Sequence, residues 1–209
     1  MYKKLFLTMV LFIFSTPSWS ESVPSYEMIQ RDGLWYKKFT NTPFTGTATG
    51  QSQGKLLNGK QEGEWIYYYP DGQLDSKGNF KDGKTEGLWE WYHENGQLRS
   101  KGNYKDGKKV GRWEWYHENG QLSSKRNFKD GKPIGLYFDY HENGRLHRTG
   151  FYINGKAEGE FKRYYDNGDL HKEGMCENDN CILKVYDKTG KLTSQETWEG
   201  DEKVNEIFY

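Results

Sequence analysis

Glu86-Gly87-Leu88-Trp89-Glu90-Trp91-Tyr92-His93-Glu94-Asn95-Gly96-Gln97-Leu98 returns almost letter for letter 24 residues later, at 110–122. The spacing continues in both directions. A glycine opening a Gly-x-aromatic motif falls at Gly63, Gly87, Gly111, Gly135 and Gly159, and its aromatic at Trp65, Trp89, Trp113, Tyr137 and Phe161. A tyrosine follows at Tyr68, Tyr92, Tyr116, Tyr140 and Tyr164, and a leucine at Leu74, Leu98, Leu122, Leu146 and Leu170. Several series in one phase define a tandem array of five units.

Each unit reads as two strands and two turns. One turn carries Asp71-Gly72, Asn95-Gly96, Asn119-Gly120, Asn143-Gly144 or Asn167-Gly168; the other carries Asn58-Gly59, Asp82-Gly83, Asp106-Gly107, Asp130-Gly131 or Asn154-Gly155. Such pairs between aromatic-rich runs signal hairpins, because both residues tolerate positive φ. Turns about every twelve residues leave no room for the crossover a parallel pair needs. The expected fold is therefore all-β, an antiparallel β-hairpin repeat array forming a single-sheet meander solenoid. Side chains alternate between faces, so Gly87, Trp89 and Trp91 share one face and Tyr92 takes the other unless a bulge intervenes. Gly102 leaves a gap that a neighbouring ring can cover, and Arg126 disturbs that face one unit later. Two strands per unit advance the sheet by about 9.6 Å, or roughly 48 Å for the array.

The predicted organisation is a signal peptide at 1–20, an N-terminal cap at 21–58, five hairpin repeats at 59–178 and a degenerate C-terminal cap at 179–209. In the N-terminal cap Leu34-Trp35-Tyr36 and Thr45-Gly46-Thr47-Ala48-Thr49 read as strands. In the C-terminal cap Val185-Tyr186 and Thr189-Gly190-Lys191-Leu192 echo the unit, two residues out of phase. Lys3 and Lys4, the apolar run Leu5 to Phe14 and Ser18-Trp19-Ser20 before Glu21 have the pattern of a secretory signal. The run is too short for a bilayer core of about 30 Å, so no transmembrane segment is expected in the mature chain, which would be periplasmic or extracellular.

Lys+Arg and Asp+Glu both number 30, a balance that disfavours nucleic acid as a partner. Hydrophobic residues make up 33% and aromatics 17%, with 25 glycines, which suits thin β architecture better than a thick core.

The units resemble MORN repeats, and more closely the MORN-variant repeats of YwqK-like proteins. The residues that carry the likeness are Asn58-Gly59-Lys60-Gln61-Glu62-Gly63-Glu64-Trp65, Tyr69, Asp71-Gly72-Gln73-Leu74 and Ser76-Lys77-Gly78-Asn79-Phe80, with the lead-in Pro43-Phe44-Thr45-Gly46-Thr47. Resemblance covers about Gly33 to Gly174. Proteins of this kind are often labelled antitoxins of a toxin–antitoxin pair, which would imply a toxin protein as partner. MORN repeats elsewhere are associated with protein and membrane-lipid contacts.

Candidate chemistry is sparse. His93, His117 and His141 recur at repeat spacing, about 9.6 Å apart. Metal–nitrogen bonds of about 2.1 Å forbid their sharing one ion, so they read as turn-flanking residues and no metal or cofactor is expected. Glu94, Glu118 and Glu142 read as solvated turn carboxylates. No nucleophile elbow or phosphate loop occurs, so no catalytic residue is assigned and the chain is not expected to be an enzyme. Cys176 and Cys181 read as a disulfide clamping the last hairpin, with free thiols or a weak metal site as alternatives. Trp65, Trp89 and Trp113, flanked by Tyr67, Trp91 and Trp115, form ladders. They either pack the sheet or make a stacking platform. The leading expectation is an exported, non-enzymatic scaffold that binds a protein, with an immunity or antitoxin-like role implied by the resemblance. The alternative is binding of a carbohydrate or cell-envelope polymer through the tryptophan and tyrosine ladder.

Overall fold

The computed structural model describes residues 21–209. The signal-peptide reading of residues 1–20 lies outside them. Short strands β1 (Ser22–Pro24), β2 (Met28–Arg31), β3 (Leu34–Lys37), β4 (Gly46–Thr49) and β5 (Ser52–Leu57) precede the array. The five hairpins follow: β6 (Lys60–Tyr68) with β7 (Leu74–Lys81), β8 (Lys84–Tyr92) with β9 (Leu98–Lys105), β10 (Lys108–Tyr116) with β11 (Leu122–Lys129), β12 (Lys132–Tyr140) with β13 (Leu146–Ile153), and β14 (Lys156–Tyr164) with β15 (Leu170–Glu177). The chain then makes β16 (Asn180–Tyr186), β17 (Leu192–Glu199) and β18 (Glu202–Phe208). From β4 to β18 every strand pairs with its sequence neighbours, all antiparallel. The hairpin array expected from the repeat is thus present.

The meander rule fails at one end. β1 pairs parallel to β4, with Ser22 facing Thr47 and Pro24 facing Thr49. The hairpin β2–β3 forms a separate two-stranded sheet. That excursion is the crossover whose absence the meander argument assumed, because the argument used only the spacing inside the repeats. It buries Val23, Met28, Phe44, Ala48 and Leu56 against Trp65, and β1 becomes the edge strand of the main sheet beyond β4.

The two turns of a unit differ more than their shared Asx-Gly suggests. Between β7 and β8, Asp82 (φ 51°) and Gly83 (φ 77°) are both left-handed, as a type I′ link requires. Between β8 and β9 only Gly96 is left-handed, at φ 80°. There the His93 carbonyl accepts from the Gly96 N–H at 2.9 Å, a type I turn followed by the glycine. Asn95 serves through its side chain instead. Its Oδ1 accepts from the Gln97 N–H at 3.0 Å, and its Nδ2 donates to the Glu118 carbonyl of the next unit at 2.8 Å.

A bulge fixes the core. Along β7 and β8, Gly78 faces Trp89 but Asn79 faces Glu86, so Gly87 and Leu88 are extra. Gly87 sits at φ 67°, which is why the position is glycine in every unit. The Trp89 indole lies flat over Gly78, where an added Cβ would come within 2.2 Å of the ring. Its N–H donates to the Asn79 carbonyl at 3.0 Å, beside the register shift. Trp65 over Gly54 and Trp113 over Gly102 repeat the arrangement. A buried ring of this size removes 150–250 Å² from water, roughly 4–6 kcal/mol as an upper bound.

The same bulge explains the phase slip of the C-terminal cap. Gly102 is followed eleven residues later by its partner Trp113, but Gly174 is followed nine residues later by Leu183. The two missing residues are those of the bulge, and β15 and β16 pair without a register shift.

Candidate functional site

Register places the ladder residues in two parallel rows on one face of the sheet. The inner row runs across the strands as Gly54, Trp65, Gly78, Trp89, Gly102, Trp113 and Arg126. The outer row runs as Ser52, Tyr67, Ser76, Trp91, Ser100, Trp115 and Ser124. The two rows differ in access. Trp65, Trp89 and Trp113 are 3%, 4% and 1% exposed, so these members of the sequence-assigned ladder are core and offer no platform. Tyr67, Trp91 and Trp115 are only half-buried and form the outward part. Ring centroids zigzag between rows, at 6.4 Å for Tyr67–Trp89, 5.6 Å for Trp89–Trp91, 5.5 Å for Trp91–Trp113 and 5.8 Å for Trp113–Trp115. Phe80 and Tyr104 meet the inner rings edge-on, at 5.1 Å from Trp89 and 5.0 Å from Trp113. Burial pushes the Tyr67 hydroxyl up to about 12, against the lowering effect of the bond it accepts from Gln61 Nε2 at 2.7 Å.

Midway along the array the outer row changes character. Where earlier units have Trp91 and Trp115, later units have Asp139 and Arg163. Where they have Ser76, Ser100 and Ser124, later units have Arg148 and Lys172. Arg126 takes the glycine place of the inner row. A ring cannot lie over it, and Tyr137 instead leans over Gly150 on the following strand, its hydroxyl 2.8 Å from an added Cβ.

Asp139 anchors this region. It is 7% exposed and accepts from Ser124 Oγ at 2.6 Å, from Arg126 at 3.2 Å and from Arg148 Nε. Burial alone would raise its carboxyl. The Ser124 hydroxyl and the two guanidiniums outweigh burial and hold it below its ordinary value. Arg163 donates from Nε to His147 Nε2 at 3.0 Å, so that nitrogen carries no proton. Burial first, then Arg163, His141 and Arg148, push the His147 imidazole down to about 4. His171 is lowered by burial and by Lys172 and Arg163. Lys172 pairs with Glu196 at 2.6 Å. Lys109 lies 4.1 Å from the Trp113 ring and 5.1 Å from that of Trp115. Its pKa is lowered by burial and then by Arg126. Among the described residues neither Arg163 nor Lys109 has a carboxylate within ion-pair distance.

Two open hollows flank Arg148. One of about 600 Å³ is lined by Lys109, Trp115, Arg126, Asp139 and His147; the other, about 450 Å³, by Tyr137, Tyr152, Phe161, Arg163 and Lys172, and also by Asp179 and Asp201. The arrangement can stack flat groups at one end and hold anionic groups at the other.

The repeated histidines and the cysteines have structural places. His93, His117 and His141 each donate from Nε2 to a carbonyl of the next unit, those of Tyr116, Tyr140 and Tyr164, at 2.9–3.0 Å. Tyr69 and Tyr165 make the equivalent bond through their hydroxyls, to Tyr92 and Tyr186. The position is a clasp between units, not a bare turn residue. Cys176 and Cys181 face each other across β15 and β16 and are joined as a disulfide.

The cationic stretch was not anticipated from the sequence. Aligning the units by position exposes it: Trp91, Trp115, Asp139, Arg163 in one column and Ser100, Ser124, Arg148, Lys172 in another.

No curated protein matches the chain. Among solved structures, a crystal structure of the GtfA/B complex bound to UDP and GlcNAc aligns over 55% of this chain at 16% identity with a TM-score of 0.20, and the match spans 22% of that chain's length. The MORN repeat variant family matches at residues 61–82, 85–106, 109–130, 133–154 and 157–177, each match spanning most of one 24-residue unit and together more than half of the chain. With that match on five hairpins of one geometry, the chain belongs to the MORN repeat variant family.

Proposed function

We propose that this chain is an exported, non-enzymatic scaffold that binds a partner protein through the face carrying Tyr67, Trp91, Trp115, Arg126, Arg148 and Arg163. MORN repeats generally mediate protein or membrane binding. The observation that carries the reading is the continuity of that face. A row of half-buried aromatic rings runs into a cluster of arginines over a sheet that does not enclose a cleft. Tyrosine, tryptophan and arginine are the residue types that dominate protein-binding energy. The disulfide supports an oxidising compartment. An antitoxin or immunity role is the specific form this binding takes if the partner is a toxin.

The test is capture of partners from envelope extract by three immobilised forms of the chain at residues 21–209. The wild type and an opposite-face variant, Leu136→Glu, should retain one stoichiometric protein, and Arg148→Glu with Arg163→Glu should lose it. Capture unaffected by the arginine changes would refute the reading. Retention of the wild type on insoluble cell wall, with no protein recovered, would favour the polymer-binding alternative.

A further inference from the structure

The outer row has a period as well as a composition. Tyr67, Trp91 and Trp115 lie two strands apart, hence about 9.6 Å from ring to ring, or about 19 Å from first to last. A ligand lying across the strands must present one group to each ring on the same side. An extended strand rises about 3.3 Å per residue with sides alternating, so its third residue, at about 9.9 Å, faces away from the sheet. An α-helix offers one side every 5.4 Å; two turns span about 10.8 Å, a mismatch of about 2.4 Å by the third ring. A polyproline-II helix has three residues per turn at about 3.1 Å each, so it returns to the same side every 9.3 Å or so. It falls only about 0.6 Å short over the whole aromatic row.

Charge sets what the segment carries at its other end. Beyond Trp115 stand the cations Arg126, Arg148, Arg163 and Lys172, with Lys109 beside them; Asp139 and Glu196 pair with three of these, and Asp179 and Asp201 line the hollow that holds Arg163. Asp139 is shared by Arg126 and Arg148, and Arg163 has only the neutral His147 as its bonded neighbour. Arg126 Nε is buried without a hydrogen-bond partner. Among the described residues Arg163 and Lys109 are therefore left without a carboxylate partner, and an incoming carboxylate meets guanidiniums already held in place.

We infer that the face takes a polyproline-II segment of the partner protein, lying across the strands with its turns on Tyr67, Trp91 and Trp115 and its acidic residues on Arg148, Arg163 and Lys172. This rests on the protein-binding reading above. Aromatic rows receive such helices readily because the segment is ordered before it binds and loses little entropy.

The test is fluorescence anisotropy of a labelled peptide of Pro-Pro-Glu repeats titrated with the oxidised chain at residues 21–209. The Pro-Pro-Glu peptide should bind, with affinity falling as salt is raised. A Gly-Ser-Glu peptide of the same length and charge should bind at least about tenfold more weakly, since it must be ordered on binding. A Pro-Pro-Lys peptide should not bind. Trp91→Ser and Arg163→Gln should each weaken the Pro-Pro-Glu complex about tenfold. Arg163→Gln serves where the tryptophan variant unfolds, because it breaks only the bond to His147. Equal binding of the two acidic peptides, failure of the Pro-Pro-Glu peptide, or preferential binding of soluble polygalacturonate would each overturn the inference. If the peptide fails while partner capture still depends on Arg148 and Arg163, this inference falls and the protein-binding reading stands. If capture is indifferent to those arginines, the reading itself falls.

Discussion

Gly102→Ala probes the packing on which the binding face rests. Gly102 is not at positive φ, so alanine suits the backbone there. On intrinsic grounds the change should help by about 0.5–1 kcal/mol, because glycine in a strand loses the most freedom on folding. The structure predicts the opposite sign. An added Cβ would lie 2.2, 2.3 and 2.5 Å from Cδ2, Cε2 and Cγ of Trp113, whose ring is 1% exposed and packed against Trp91, Trp115 and Tyr104. The indole must lift, which costs about 1–3 kcal/mol of overpacking. Lifting also strains the 3.1 Å bond from Nε1 to the Asn103 carbonyl, worth about 0.5–1.5 kcal/mol. The net is a loss of about 1–3 kcal/mol, or roughly 2–12 °C in Tm for a chain of this size. Gly150→Ala is the internal comparison, since there the Cβ meets the far end of Tyr137 at 2.8 Å, a group that can swing away. Equilibrium urea unfolding followed by tryptophan fluorescence should rank wild type above Gly150→Ala and Gly150→Ala above Gly102→Ala. A neutral or stabilising Gly102→Ala would refute the ring-over-glycine account.

His147 should stay neutral at pH 6 and titrate near 4 by NMR, and Arg163→Gln should move that titration upward. Because its folded pKa lies below the unfolded value near 6.5, its contribution to stability is present above about 6.5 and is lost as pH falls toward 4; His147→Gln should flatten the melting profile in that window. His117→Ala removes a clasp between units and should cost about 0.5–1.5 kcal/mol in urea unfolding, whereas His117→Tyr should be near neutral, because Tyr69 and Tyr165 make the same bond in other units. Reducing Cys176–Cys181, five residues apart, should cost about 2 kcal/mol from loop entropy. The loss should appear by hydrogen exchange in β15 to β18 and leave β6 to β11 protected.

The repeat made the array legible because each repeated spacing encodes a local rule: Asx-Gly for the type I′ link, aromatic over glycine for the core. The bulge at Gly87 was not legible, since an extra pair of residues inside a strand leaves a period of 24 unchanged; it showed only where it was missing, as the two-residue slip before Leu183. The parallel β1 and the small β2–β3 sheet lie outside the repeat and are held by packing on Trp65, which no periodicity encodes. Of the ladder, which rings were core and which were outward depended on cross-strand register. Trp89 and Trp91 have the same residue type on the same face, and only the glycine opposite Trp89 separates them from the serine opposite Trp91. The arginine stretch was hidden for a different reason: its members replace a different residue type in each column, so no motif contains them.

Oxidative footprinting of the captured complex tests the binding face most directly, because both faces carry reactive side chains. Tyr67, Trp91 and Trp115 mark one face, and Phe151 and Met175, 39% and 59% exposed, mark the other. Binding as proposed protects Tyr67, Trp91 and Trp115 and leaves Phe151 and Met175 as reactive as in the free chain. Protection of Phe151 and Met175, with Trp91 and Trp115 unchanged, would place the partner on the opposite face and contradict the account.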